Sequence, residues 1–186
     1  EVLASDSDNR GVLRPVLETI RAALPADTII ATDMTLIAYA GNEIFPVENP
    51  SCWLHPVGFG TLGYALPAAI GAKVGVGDRP VAAIAGDYGF QYTINELATA
   101  SELGKPLPIL LWNNNLLGAI HMDMVEKGIQ PNAVTQVNPD FQMLARAYGC
   151  HSARPETLQG LSQAISAALA ADKPTLIEMT PDMVRN

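Results

Sequence analysis

The order of apolar and amphipathic segments constrains the fold of this 186-residue chain most strongly. Short apolar, β-branched runs at 28–32, 81–85, 109–112 and 175–179 are typical of strands that are buried on both faces. Segments with apolar residues at helical spacing lie between these runs. Because such alternation builds parallel sheets with helices on both faces, the sequence predicts an α/β fold with an open parallel sheet of about six strands.

The remaining segments divide into predicted helices and irregular chain. Helices are predicted at 13–24, from the glycines near 60 through 72, and at 92–103, 141–148 and 158–169. The stretch that follows Asp33 contains Pro46, Pro50 and Pro56, shows no regular period and is predicted to be irregular. Residues 1–10 are predicted to be a linker or arm, and residues 11–186 to be one domain.

Composition excludes several classes of partner. The chain carries 11 basic and 19 acidic residues, a net charge of −8, which argues against binding to nucleic acid or to anionic membranes. No apolar run approaches the roughly 18 residues of a membrane span. No signal peptide is readable in a sequence that begins without Met, and its two cysteines are too few for a disulfide framework. We therefore expect a cytoplasmic protein, and the sequence leaves open that it is part of a larger enzyme.

Polar residues follow the predicted strands at the point where each strand ends. These residues are Asp33, Asp87 and the pair Asn113–Asn114. In open parallel sheets, ligands bind beyond the carboxyl ends of the strands, where these side chains converge. The Asp87 carboxylate and the Asn114 amide oxygen form an oxygen-only pair that suits Mg²⁺ or Ca²⁺ better than zinc. Gly86 and Gly89 permit a tight turn whose N–H groups bind phosphate, so a metal-bridged diphosphate is predicted.

A glycine motif at 58–63 favours a different class of protein. Its letters match G-x-G-x-x-G, the pattern of dinucleotide-binding oxidoreductase domains. Against this, Pro56 makes the preceding segment a poor central strand, and Asp87 lies far beyond the usual offset of about 20 residues. The dinucleotide-binding alternative and a purely structural glycine turn both remain open at this point.

Several ordered motifs resemble the thiamine-diphosphate (ThDP) enzymes. Gly-Asp-Tyr-Gly-Phe at 86–90, Asn-Glu-Leu-Ala-Thr at 95–99 and Leu-Leu-Trp-Asn-Asn at 110–114 are similar to their cofactor-binding motif, which begins Gly-Asp-Gly and ends Asn-Asn. The segments 60–71, 138–141 and 174–178 resemble the acetolactate synthase and 2-oxo-acid decarboxylase branch. The resemblance runs in order from about residue 13 to residue 180. It implies a ThDP-binding fold with ThDP and Mg²⁺ as cofactors.

The resemblance also implies roles for single residues. The side chains of Asp87 and Asn114 and the main-chain carbonyl of Leu116 would hold Mg²⁺. The remaining implied contacts are to the cofactor: the Gly60 carbonyl to its 4′-amino group, the Leu62 side chain as a wedge that keeps its two rings bent, and backbone N–H groups of the turn to its diphosphate. The turn comprises Gly86, Tyr88, Gly89 and Phe90, and Thr35 is a further candidate for a phosphate contact.

The sequence departs from the family pattern in three places and lacks one element. Residues 35–37, Thr-Leu-Ile, replace polar residues that often follow the first strand. Tyr88 stands where the second glycine is usual, and Gly89 where a serine often contributes a hydroxyl. The activating glutamate of the family lies on a separate pyrimidine-binding domain, for which 186 residues leave no room. Glu96 is interpreted as structural. The resemblance therefore implies the C-terminal part of a larger homodimeric or homotetrameric enzyme, completed by that domain from the same enzyme or a partner subunit, and an isolated chain without turnover.

Three residues are candidates for contact with a 2-oxo-acid substrate. His55 precedes the glycine segment and is predicted to line the site. Asp123 and Glu126 follow the metal loop on a predicted helix; the plain interpretation is a solvated helix face, and the sharper one is recognition of a cationic substrate such as the guanidino 2-oxo acid derived from arginine. We favour a decarboxylase because the match to the synthase pattern ends after Gly118, with an acetolactate synthase-like carboligase as the alternative.

Overall fold

The computed structural model describes residues 10–184. Six strands form one sheet in which every pairing is parallel, in the order β2-β1-β3-β4-β6-β5. The strands are β1 Ile29–Thr32, β2 Trp53–Leu54, β3 Val81–Gly86, β4 Pro108–Trp112, β5 His151–Ala153 and β6 Thr175–Met179. The predicted six-stranded parallel α/β fold is confirmed. Of the predicted linker, residues 1–9 lie outside the described residues, as do residues 185–186 of the predicted domain.

Eight helices connect these strands within the described part of the chain. They are α1 Arg10–Ala23, α2 Leu36–Ile44, α3 Ala65–Val76, α4 Asp87–Tyr92, α5 Glu96–Leu103, α6 Gly118–Glu126, α7 Phe141–Ala147 and α8 Leu158–Leu169, and a 3-10 helix at Pro181–Val184 follows β6. Between residues 10 and 184, no helix is long and apolar enough to cross a membrane.

Two apolar cores lie on opposite faces of the sheet. In β4, Ile109 and Leu111 belong to the core under α3, α5 and α7, whereas Leu110 and Trp112 belong to the core under α1, α2 and α8. This division follows from the period of two residues along a strand, which sends successive side chains to opposite faces. Both faces are covered, so the central strands are apolar throughout, as the sequence indicated.

The stretch that was predicted to be irregular contains two regular elements. Residues 36–44 form α2 because Ile37, Ala38 and Ala40 bury against the sheet before the first proline is reached. β2 pairs only with β1, through Ile30 opposite Trp53 and Ala31 opposite Leu54. An edge strand this short ends before Pro56, which therefore removes no ladder hydrogen bond.

The helix predicted at 92–103 begins four residues later in the structure, and a separate helix that was not predicted precedes it. α4 begins directly after β3 and ends at Tyr92, and α5 begins at Glu96. The break frees the Thr93 hydroxyl, which donates to the Gly63 carbonyl at 3.0 Å. The division thus ties the turn after β3 to the glycine segment before α3.

Candidate functional site

The carboxyl ends of β1, β3 and β4 open into one cleft of about 170 Å³. Nine residues that the sequence predicted as metal or cofactor contacts line it: Thr35, Gly60, Leu62, Gly86, Asp87, Tyr88, Gly89, Asn114 and Leu116. The N-terminal end of α6 and the first turn of α2 supply further apolar lining. The cleft therefore lies where the rule for open parallel sheets places a ligand.

Asp87 is the charged centre of the cleft. It follows β3 directly and is only 2% exposed. Its Oδ1 accepts from the Tyr88 N–H at 3.1 Å, and its Oδ2 accepts from the Asn138 Nδ2 at 2.7 Å. Burial raises the pKa of the Asp87 carboxyl, although these hydrogen bonds and one from the Asn115 backbone oppose the rise. A buried carboxylate whose donors are neutral amides is an electrostatically favourable place for a cation.

The loop after β4 supplies the other predicted metal ligands. Asn114 is half-buried, and its Oδ1 accepts from the Leu116 N–H at 3.2 Å. Within residues 10–184, no group of three His, Cys, Asp or Glu side chains is arranged to hold a metal. A metal in this cleft must therefore use amide and main-chain oxygens beside Asp87. These are hard ligands that fit Mg²⁺, so the donor set agrees with the predicted metal.

The turn after β3 admits only glycine at two positions. A Cβ atom at Gly86 would lie 2.8 Å from the Thr35 Oγ1, and one at Gly89 would overlap the Asp33 carboxylate. Phe90 packs its ring against Phe141 at 5.9 Å in the core and does not line the cleft, so only its backbone is available for a ligand. The N–H groups of a first helical turn have no backbone acceptors within the helix and can therefore bind an anion, although the Tyr88 N–H here donates to the Asp87 Oδ1.

Asp33 is a site residue whose role the sequence did not reveal. Its carboxylate is buried and accepts from the Gly63 N–H at 2.9 Å and 3.1 Å and from the Met34 N–H at 2.9 Å. Burial raises the pKa of the Asp33 carboxyl, and the hydrogen bond from Gly63 is the largest opposing effect. Asp33 thereby fixes the glycine segment, in which Gly60 has a φ of +64° and Gly63 a φ of +86°, against the end of β1.

His55 lies beside the cleft but not among its lining residues. Its Nδ1 is 2.7 Å from the Thr32 Oγ1, and its ring meets that of Tyr39 edge to face at 6.3 Å. Tyr39 itself lines the cleft. Burial lowers the pKa of His55, with the charge of Asp33 opposing this shift. The predicted contact between His55 and a substrate therefore stays a prediction.

We expect His55 to make the fold more sensitive to acid. Because its pKa is lower in the folded chain than in the unfolded chain, stability falls as the pH drops through the usual histidine range near about 6.5. His55→Asn should therefore lose less stability than the wild type between about pH 7.5 and 5.5. Urea denaturation at a series of pH values measures the difference, and identical pH slopes for the two proteins would contradict the assignment.

The two acidic substrate candidates lie on the exposed side of α6. Asp123 accepts from the Lys127 Nζ at 2.8 Å, and Glu126 is also exposed. Neither residue lines the cleft. Glu96 accepts from Asn95 and from Thr99, each at 3.0 Å, which agrees with the structural role that the sequence indicated.

Asn138 is a second site residue that sequence reasoning missed. It entered the sequence analysis only as the first residue of a family motif, with no role attached. In the structure its amide contacts Asp87 from a segment 51 positions further along the chain. Apart from that motif, the sequence shows only a polar residue followed by a proline at 138–139, a pair that by itself predicts a turn.

The comparisons with known proteins identify the class. Residues 33–179 match the family described as thiamine pyrophosphate enzyme, C-terminal TPP binding domain. The chain belongs to this family. The predicted ThDP-binding fold and cofactor class are thereby confirmed, and the glycine segment at 58–63 belongs to a ThDP domain rather than to a dinucleotide-binding one.

Individual relatives are decarboxylases and synthases. A probable 2-ketoarginine decarboxylase of Pseudomonas aeruginosa is 48% identical over 180 residues, which cover 96% of this chain and 32% of that protein. The acetolactate synthase large subunit of Corynebacterium glutamicum is 34% identical, with 88% and 27% covered. The solved ThDP-dependent 4-hydroxybenzoylformate decarboxylase of Rhodococcus jostii RHA1 superposes with a TM-score of 0.80 at 30% identity, with 88% and 32% covered. The chain thus spans about a third of the length of these relatives.

Proposed function

We propose that this chain binds Mg²⁺ and the diphosphate of ThDP as the C-terminal domain of a 2-oxo-acid decarboxylase. One observation carries the proposal: a buried carboxylate, Asp87, faces the same cleft as Asn114 and Leu116. In this proposal the Asp87 carboxylate, the Asn114 amide oxygen and the Leu116 carbonyl hold the metal, and the first turn of α4 holds the diphosphate.

The residues of this chain position the cofactor, which when bound supplies the electron sink for decarboxylation. The Gly60 carbonyl would hold the amino end of the cofactor, and the half-buried Leu62 side chain would pack against its rings. Asp33 keeps both residues in place because it anchors the Gly63 N–H. Thr35 lies at the diphosphate end of the cleft, beside Gly86.

The small volume of the cleft and the exposed apolar residues near it support the proposal of a partner domain. The cleft of about 170 Å³ is smaller than the roughly 300–1,000 Å³ of complete small-molecule sites. Phe59, inside the glycine segment, is 100% exposed, and Val57, just before it, is 82% exposed, as expected of a surface that another domain covers. We propose that a pyrimidine-binding domain, from the same enzyme or from a partner subunit, brings the activating glutamate here within a homodimer or homotetramer.

The location proposed for this enzyme is the cytoplasm. Cys52 and Cys150 are both buried free thiols, which fits a reducing compartment.

A cationic 2-oxo acid is the substrate that we propose. The relative that is 48% identical is described as a probable 2-ketoarginine decarboxylase, and α6, whose first residues line the cleft, carries Asp123 and Glu126 further along on its exposed side. A second candidate is acetolactate synthase-like carboligation, which the relative from Corynebacterium glutamicum favours.

The substrate proposal predicts a charge preference. In the enzyme with all its domains, the guanidino 2-oxo acid should have a higher kcat/KM than neutral branched 2-oxo acids. The double variant Asp123→Asn/Glu126→Gln should reduce that preference by roughly 10-fold through KM, since each exposed charge contributes up to about 1 kcal/mol. Steady-state kinetics on both substrates measure this, and faster reaction of the neutral acids in the wild type would refute the cationic substrate.

Calorimetric titration separates the classes of cofactor. ThDP with Mg²⁺ should bind to this chain in the presence of its partner domain, and omission of Mg²⁺ should greatly weaken the binding. NAD or FAD should give no heat. Binding of either dinucleotide without metal would overturn the proposed function.

A further inference from the structure

Behind the proposed metal ligands lies a chain of amide side chains that no cofactor contact explains. The Asn138 Nδ2 lies 2.7 Å from the Asp87 Oδ2, 2.8 Å from the Asn113 Oδ1 and 3.1 Å from the Asn115 Oδ1. One amide group thus gathers oxygens from the end of β3 and from the loop after β4. These two segments carry the proposed metal ligands Asp87 and Asn114.

Other contacts fix the orientations of two of these amides, those of Asn138 and Asn113. The Asn138 Oδ1 accepts from the Gln136 Nε2 at 2.6 Å and from the Gln91 Nε2 at 3.1 Å, so its NH₂ group must face Asp87. The Asn113 Nδ2 donates to the buried Glu178 carboxylate at 2.8 Å, so its Oδ1 must face Asn138. A flipped amide at either position would set donor against donor or acceptor against acceptor.

The backbone around Asn138 is also tied to the metal loop. The Leu117 N–H donates to the Val134 carbonyl at 2.9 Å, and Leu116 pairs with Thr135 in an antiparallel bridge. The segment at 134–138 therefore runs alongside the loop that contains Asn114. The hydrogen bond from Asn138 to Asp87 connects this segment to α4. Within α4, the Gln91 side chain also donates to the Asp87 carbonyl at 3.0 Å.

We propose that Asn138 is a positioning residue for the metal: its amide holds the Asp87 carboxylate and the loop after β4 in register, so that Asp87 and Asn114 reach one Mg²⁺. This inference rests on the proposed function. A neutral donor suits the role because it orients the carboxylate without cancelling the charge that attracts the cation. Partners that orient metal ligands in this way commonly change metal affinity by about 10- to 100-fold.

The test uses Mn²⁺ in place of Mg²⁺ and measures its binding to the enzyme with all its domains, in the presence of ThDP. The intensity of the free Mn²⁺ signal in electron paramagnetic resonance gives the dissociation constant. Asn138→Ala should raise this constant about 10- to 100-fold, and Asn138→Gln, which keeps the amide on a longer side chain, should restore part of the loss. Asn132→Ala replaces an exposed asparagine just before this segment; it is the matched control and should bind as the wild type does.

The outcomes separate a positioning role from a structural one. If Asn138→Ala lowers the Tm without metal but binds Mn²⁺ as tightly as the wild type, the inference is overturned and the proposed function stands. If the wild type with ThDP binds no Mn²⁺, both fall. Should Asn138→Ala not fold, the double variant Gln91→Ala/Gln136→Ala keeps Asn138 but removes both donors to its Oδ1, and a several-fold weaker Mn²⁺ affinity is then expected, whereas unchanged affinity refutes the inference.

Discussion

Replacement of Asp87 by asparagine should abolish magnesium-dependent binding of ThDP. Asp87→Asn keeps the shape of the side chain but removes the one formal charge among the three proposed metal ligands. Loss of residues that merely orient a ligand costs about 10- to 100-fold in metal affinity, so loss of the charged ligand should cost more than about 100-fold. Calorimetric titration of Mg²⁺ in the presence of ThDP, with the partner domain present, measures the change.

The same variant should behave differently when no metal is present. Burial already disfavours the ionised form of Asp87, as its raised pKa indicates, but the NH₂ group of Asp87→Asn would face the donor of either Tyr88 or Asn138. Because these two effects oppose each other, the metal-free fold should change in stability by no more than about 1–2 kcal/mol. Asp78→Asn also removes one negative charge, but from a fully exposed side chain, and it should change neither the binding of Mg²⁺ nor the stability of the metal-free fold. Retention of wild-type Mg²⁺ affinity by Asp87→Asn would show that the metal site lies elsewhere.

Substitution of alanine for Gly89 should destabilise the domain by about 1–3 kcal/mol. The new Cβ would overlap the Asp33 carboxylate, which is buried and cannot retreat into solvent. Displacement of Asp33 would also leave the buried Gly63 N–H without its acceptor, and an unsatisfied buried donor is costly in itself. Urea denaturation of wild type and variant without cofactor gives the difference in the free energy of unfolding.

Gly71→Ala is the matched control for this prediction. Gly71 lies inside α3, where a Cβ atom would meet nothing within 4 Å. The identical substitution should therefore stabilise the domain by up to about 1 kcal/mol, because alanine favours the helix. If Gly89→Ala proved as stable as Gly71→Ala, Asp33 would not occupy the position assigned to it.

The central strands could be predicted because their apolar runs are local features. The runs at 81–85 and 109–112 have no polar residue to divide between two faces, and the structure buries both. Among the elements that were not predicted, two have clear physical reasons. α2 was hidden by the prolines that follow it, and β2 has only two residues, held by pairing with β1 rather than by a pattern of its own.

The residues of the site also differ in how far they could be predicted. Some follow from the topology of the sheet, and others depend on contacts between distant positions in the chain. Asp87 and Asn114 could be placed together because parallel strands end at one edge of the sheet, so their proximity follows from topology alone. The Asp33–Gly63 contact spans 30 positions and the Asn138–Asp87 contact spans 51, and no spacing rule predicts either pair. The structure also explains Gly89, where the family often has serine: the Asp33 carboxylate occupies the space that a Cβ would need.

The most direct test of the metal–diphosphate site is X-ray diffraction from crystals of the enzyme with all its domains, grown with Mn²⁺ and ThDP. An anomalous difference map identifies the manganese by its anomalous scattering, which distinguishes it from the lighter atoms around it. We predict one peak per chain in the cleft, about 2.0–2.3 Å from an Asp87 carboxylate oxygen, the Asn114 Oδ1 and the Leu116 carbonyl, with the diphosphate on its open side. Manganese and ThDP bound away from Asp87 would contradict the assignment of this site.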